Sequence, residues 1–250
     1  VLFGLGDAAL AASPVKTPRL ADGHPDLNGV WENGGGIDFL KPQAGQGGSI
    51  CVRDCGPPAP RGGPPPDRPR YRPEFQARVA ELKEKQVQFD PVLRCKPPGL
   101  PRIGPPDKIV QTRRELVFLY EDVSGPFYRV VPLDPKVQRN DASESYLGEA
   151  LGHWEGDTLV VETRNFNEDS WLTDDGALHT RNLKVTERLR RVGDVIEYRA
   201  VADDPEVLAE PWQLRPRTLQ RSTVEFSEPA PCFDQDMARM QDGSYHTNPR

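Results

Sequence analysis

Leu183-Lys184-Val185-Thr186-Glu187-Arg188-Leu189-Arg190-Arg191-Val192, then Gly193-Asp194, then Val195-Ile196-Glu197-Tyr198-Arg199-Ala200-Val201-Ala202 form two runs around a two-residue turn. Successive side chains of a strand point to opposite faces, so Leu183, Val185, Glu187 and Leu189 share one face and Lys184, Thr186, Arg188 and Arg190 the other. A Gly-Asp pair between such runs signals a tight hairpin, because glycine accepts the positive φ that the first turn position requires. Working outward, runs rich in Val, Tyr and Thr occupy 108–112, 115–121, 127–133, 158–163 and 212–226. Glu155-Gly156-Asp157 supplies a second turn of the same kind between Trp154 and Thr158. Seven antiparallel runs in succession, without intervening helices, predict a mainly β fold: a meander that closes into a barrel or a strongly curved sheet.

Ahead of these runs, residues 14–72 are dominated by Pro, Gly and Asp, with Gly34-Gly35-Gly36, Gly47-Gly48 and the proline run from Pro57 to Pro69. Such composition predicts a long irregular preface, within which only Gly29-Val30-Trp31 and Ile37-Asp38-Phe39-Leu40 look able to pair as short strands. Pro73 stands where a helix accepts its first residue, and Phe75, Val79, Leu82 and Phe89 recur near a helical period as far as Asp90. That is the one expected helix, with Glu81, Lys83, Glu84 and Lys85 as its solvated face. The chain thus divides into residues 1–13 (an apolar export-signal remnant or docking arm), the preface 14–72, and one domain, 73–250, of helix plus β-barrel.

The totals narrow the function classes. Hydrophobic residues make up 36% of the 250 and charged ones 28%, enough for one core that does not involve every segment. A net charge of −6 with no Lys/Arg block excludes a nucleic-acid backbone or an anionic membrane surface as the main partner. No apolar run approaches the roughly 20 residues of a transmembrane helix. Residues 1–12 are apolar and small, and Ala9-Leu10-Ala11 has the small-x-small form of a signal-peptidase site, although the basic leader is missing. They read as the tail of an export signal, or as an arm through which copies of the chain form a homo-oligomer. Four cysteines suit a periplasmic or secreted protein with two disulfides. Cys51 and Cys55 are close enough to bridge a small loop, leaving Cys95 and Cys232 to tie the start of the body to its end. Zinc is the competing reading of Cys-x3-Cys, but no second Cys or His pair stands at ligand distance.

Leu151-Gly152-His153-Trp154-Glu155-Gly156-Asp157-Thr158-Leu159-Val160-Val161-Glu162-Thr163, followed by Asn165-Phe166 and Trp171, resembles a motif of a widespread family of uncharacterised exported bacterial proteins. Arg94-Cys95-Lys96-Pro97-Pro98-Gly99, Ile109-Val110-Gln111-Thr112, Arg129-Val130-Val131-Pro132-Leu133-Asp134, and His179 leading to Val185-Thr186-Glu187-Arg188 agree with it. The resemblance runs from about Arg94 to Phe226. It implies an exported, loosely lipocalin-like β protein and implies no activity. Near Cys232 the chain departs from the pattern, since Pro229-Ala230-Pro231 precedes the cysteine where acidic and Asn residues are expected to follow it closely.

Candidate chemistry starts at Glu187, which alternation turns toward the apolar face. A carboxylate facing a barrel interior is costly unless paired or protonated, and a raised pKa suits it to acid–base work. Arg129, flanked on its own face by Phe127 and Val131, is the candidate partner, and a purely structural ion pair is the alternative. His179, after Asp174-Asp175-Gly176 and just before the strand, is the candidate general base, singled out by the resemblance, with Asp175 as a second carboxylate. Trp154, Trp171, Trp212 and Tyr198, with His153 beside Trp154, are candidates to line a ligand cavity, and Trp31 shares that reading; all could equally be core. The loop from Asn165 to Gly176 is dense in oxygen ligands, so calcium is a candidate, although the spacing matches no defined calcium loop. No nucleotide loop, Gly-x-Ser-x-Gly elbow or His-Glu-x-x-His motif occurs, so no organic cofactor and no metal is expected.

Three functions follow in order. The first is a cofactor-free enzyme using His179 with Glu187 or Asp175 for proton transfer on a small organic molecule, as a lyase, isomerase or hydrolase. The second is a lipocalin-like binder of an apolar ligand, and the third an assembly subunit gripping its neighbours through the N-terminal arm.

Overall fold

The alternating runs become one sheet of antiparallel strands, nearly closed and barrel-shaped, in a computed structural model that describes residues 16–33, 43–44, 50–51, 68–122, 124–137, 143–226 and 232. Its strands are β1 (Gly29–Asn33), β4 (Lys108–Gln111), β5 (Glu115–Asp122), β6 (Gly125–Pro132), β7 (Glu149–Glu155), β8 (Thr158–Arg164), β9 (Lys184–Val192), β10 (Val195–Asp203), β11 (Trp212–Gln213) and β12 (Arg217–Arg221). β2 (Gln43–Ala44) and β3 (Ile50–Cys51) pair separately with each other. The expected 212–226 run is split between β11 and β12, where Pro216 has no N–H to give a ladder. Both two-residue hairpins form as read: Val192 faces Val195 around Gly193 at φ 61°, and Glu155 faces Thr158 around Gly156 at φ 59°.

The sheet order is β6-β5-β4-β1-β12-β10-β9-β8-β7. There are two meanders, β4–β6 and β7–β10, and they are joined through β1 and β12. Thus β1 pairs with β4 and β12, whereas residues 37–40, its expected partner, lie outside the described residues. β6 and β7, consecutive in the chain, are the two ends of the ladder and meet by side-chain packing. Gly152 makes this seam possible, since a Cβ there would fall 2.8 Å from Val131 Cγ1 and 3.0 Å from Leu133 Cδ2.

Inward residues fill the barrel: Trp31, Leu116, Phe118, Tyr120, Val131, Leu159, Val161, Leu189, Ile196, Tyr198 and Leu219 belong to one buried cluster. A second cluster, with Phe166, Leu172, Leu183, Val185, Ala202, Leu208 and Trp212, plugs one end. There the helix α1 (Pro73–Glu84) packs Phe75 on it and buries Leu82. A further turn, α2 (Gln86–Phe89), carries the helix to Asp90, but Phe89 is 42% exposed rather than part of the apolar stripe. Residues 16–28 cover the opposite end, where Thr17 Oγ1 accepts from the Gly193 N–H and Arg191 donates to the Asp26 carbonyl. Cys95 and Cys232 form a disulfide across 137 residues. Cys55, and with it the expected Cys51–Cys55 bridge, lies outside the described residues, as do residues 1–12. Among the described residues no helix is long and apolar enough to cross a membrane.

Candidate functional site

Strand alternation turns Glu187 inward on β9, opposite Ala200 on β10 and Val161 on β8, and its burial is complete (0% exposed). Arg129 enters from β6, 4% exposed, with its guanidinium 5.7 Å from the centre of the Phe118 ring. Its Nη2 lies 2.7 Å from Glu187 Oε2 and donates to Thr163 Oγ1 at 2.7 Å, and its Nη1 donates to the Tyr120 hydroxyl at 3.0 Å. The Tyr198 hydroxyl donates to Glu187 Oε1 at 3.0 Å. Arg129 thus clasps β6 to β8 and β9 where the backbone ladder is interrupted.

Burial alone would lower the Arg129 guanidinium, but the Glu187 carboxylate and the Tyr120 oxygen outweigh it and hold it above its ordinary value. Burial, reinforced by Glu187, pushes the Tyr198 hydroxyl well up; burial also raises Tyr120, against the opposing pull of Arg129. Both phenols therefore stay protonated, Tyr198 donating to Glu187 and Tyr120 accepting from Arg129. Two atoms of the network, Arg129 Nε and Glu187 Oε2, are buried without a hydrogen-bond partner. The short Nη2–Oε2 contact is an ion pair out of line for a hydrogen bond, so it leaves Oε2 unfilled. Alternation could have placed Tyr120 with Leu116 and Phe118 inside; Thr163 carried no comparable signal.

His179 lies elsewhere, 3% exposed, edge-on to Phe166 of the end cluster. Its Nδ1–H donates to the Thr180 carbonyl at 3.0 Å, which fixes the tautomer and leaves Nε2 to accept from the Ser170 hydroxyl at 2.8 Å. Ser170, fully buried, is held so tightly that a Cβ at Gly99 would fall 2.3 Å from its Oγ. No hydrogen bond or ion pair joins His179 to Glu187, whose partners are Arg129 and Tyr198. Asp175 is not with His179 either: it pairs with Arg68 and Lys83 beside α1 and accepts from Thr173. His179, expected to work with Glu187 or Asp175, has neither as a hydrogen-bond or ion-pair partner.

Burial lowers the His179 pKa, against the Thr180 carbonyl and the Asp204 and Glu168 carboxylates, which raise it. The fold favours the neutral ring, so an unfolded chain takes up this proton first. The stability that His179 contributes is complete above roughly pH 6.5 and is lost as pH falls through that value toward the lower folded pKa. Asp107, raised to about 6 by burial, acts in the opposite direction, so the comparison must be with a His179→Gln variant. In urea unfolding, the wild-type advantage over that variant should shrink between roughly pH 7.5 and 5.5; a constant gap refutes a buried neutral imidazole.

The tryptophans do not share a cavity. Trp31 has the guanidinium groups of Arg191 and Arg221 at 5.2 and 5.5 Å from its ring centre. Trp154 stacks on His24 with ring centres 4.6 Å apart, Trp171 lies under Arg102, and Trp212 belongs to the end cluster. His153 is on the outer face, 3.3 Å from Glu155. The oxygen-rich loop buries Ser170, Trp171 and Leu172 in the core, and among the described residues no group of three or more His, Cys, Asp or Glu is placed to hold a metal.

One space for a ligand is at the seam. A cleft of about 480 Å³ opens between β6 and β7, walled by Tyr128, Arg129, Val130 and Pro132 on one side and by Ser145 to Ala150 on the other, with Pro97 across it. Arg129 is the one residue common to this wall and the buried network. Tyr128, Tyr146 and Glu149 were not legible as a set, because they meet only where the two meanders fail to pair. No protein-family model, no curated protein and no solved structure matches the chain.

Proposed function

We propose that the protein is an exported barrel that binds a small organic molecule in the cleft between β6 and β7. The observation that carries this reading is the cleft itself: its volume of about 480 Å³ suits a small ligand, and its wall is mostly apolar with few polar groups. The Cys95–Cys232 disulfide supports export, because such bonds persist in oxidising compartments.

The test is extraction. Native protein is denatured in organic solvent and the released small molecules are identified by mass spectrometry, in parallel with a Leu147→Trp variant that fills the cleft. A molecule recovered from the wild type and lost from the variant is the expected result; equal recovery from both, or none from either, removes the cleft as the site. Incubating the recovered molecule with fresh protein separates binding from turnover, since a binder returns it unchanged. The acid–base enzyme reading loses ground because His179 and Glu187 have separate partners.

A further inference from the structure

We infer that the cleft takes a short free peptide of about three residues, held in extended form by the backbone edges of β6 and β7. This rests on the reading of the cleft as the ligand site and names the class of its ligand. Eight antiparallel pairings lead along the sheet from β6 to β7, so these two end strands run in the same direction. Among the described residues no ladder joins them. One more strand, antiparallel to both, would close the ladder.

Successive residues of an antiparallel strand turn their N–H and C=O groups alternately toward one neighbour and the other. The Leu133 N–H donates to the Arg114 carbonyl, so in the unbroken register of β5 and β6 it is Val131, Arg129 and Phe127 that bond to β5. Tyr128 and Val130, both in the cleft wall, therefore direct their N–H and C=O groups to the β7 side. Pro126 and Pro132 hold the equivalent places on either side of them, where a proline removes no ladder hydrogen bond, and they confine the donors of this edge to Tyr128 and Val130. On β7 the Glu155–Thr158 pair closes a two-residue turn and so bonds to β8, as do His153, Leu151 and Glu149. Ala150, also in the wall, therefore faces the β6 side. Peptide groups on both sides of the cleft thus lack the partner that a strand between them supplies. Spacings of about 4.8 Å within a sheet and about 10 Å between sheets give an extended residue about 160 Å³, so a cleft of about 480 Å³ takes about three. Where Gly152 packs against Val131 and Leu133 the seam is shut, which ends the slot and selects a short peptide over a strand of a longer chain.

The test uses the full chain and the capped tripeptide N-acetyl-valyl-threonyl-valine amide, titrated while the backbone amide signals of Tyr128, Val130, Leu147 and Ala150 are followed by NMR. The peptide is expected to shift these signals and to bind about tenfold more tightly than its analogue N-methylated at the middle residue, which keeps the side chains and loses one N–H. Val130→Pro removes a donor that faces the cleft and no bond to β5, and should weaken the unmodified peptide by about tenfold. Val130→Ala, which keeps that donor, should bind nearly as the wild type does. If the proline variant does not fold, the two peptides carry the test alone. Equal binding of the two, or no shift with either, overturns the inference. A capped nonapeptide of the same alternating pattern that binds more tightly than the tripeptide overturns it as well, in favour of a strand from a longer chain. The cleft itself stands or falls separately, on the extraction from wild type and Leu147→Trp.

Discussion

Glu187→Leu is expected to lower the free energy of unfolding by about 3 to 5 kcal/mol, because it leaves the Arg129 guanidinium charged and buried without its counter-charge. The Tyr198 hydroxyl loses its acceptor in the same step. Adding Arg129→Met should restore the larger part of the loss, since a buried ion pair replaced by apolar residues of similar volume is often neutral or stabilising. Equilibrium urea unfolding of the single and double variants makes the comparison. If the single variant loses less than about 1 kcal/mol, the value of an exposed pair, the buried clasp across the seam is wrong. The same cycle shows how strongly the two residues are coupled, which neither single variant can do.

Replacing both Cys95 and Cys232 by serine is the second large loss. The disulfide closes a loop of 137 residues that contains every strand from β4 to β12. In the chain-entropy treatment a cross-link over such a loop restricts the unfolded chain by about 5 kcal/mol, and native disulfides removed from small domains typically take away about 2 to 5 kcal/mol. The urea midpoint of the double serine variant should fall, and that of the wild type in reductant should fall to meet it. An unchanged midpoint in either case rules the bond out as a stabilising tie. The cleft is affected as well, because Cys95 opens the segment that carries Pro97 into its wall and Gly99 against Ser170.

The hairpins were legible because a local rule governs each: Gly156 and Gly193 had to take positive φ, and alternation alone turned Glu187 and Arg129 inward. The partnership of these two could be named from the sequence, since each was a charge on an apolar face in need of its opposite. What alternation cannot give is the order of strands that are distant in sequence. Nothing in Gly29-Val30-Trp31 announces β4 and β12 as its neighbours, and nothing in 125–132 announces that this strand fails to pair with the next one. The cleft arises from that failure, so its wall of Tyr128, Tyr146 and Glu149 could not be read. His179 was chosen for its chemistry and its place before a strand. Its partner Ser170 belonged to a loop read for its oxygens, and only the tertiary fold shows that this loop turns its small and apolar side chains inward.

The insertion of β1 and β12 between the two meanders bears on how the chain reaches its final form. These strands pair Trp31 with Arg221, a contact between residues from opposite ends of the described chain. On a ribosome, hairpins such as β9–β10 can assemble as soon as they emerge, yet the half-sheet of β1 with β4–β6 and the half-sheet of β7–β10 stay unjoined until Arg217–Arg221 has been made. Until then two half-sheets expose unsatisfied backbone on their flanks, the condition in which chains adhere to one another. Maturation is therefore a late, all-at-once event set by the most distant pairing in the molecule, and slow for that reason.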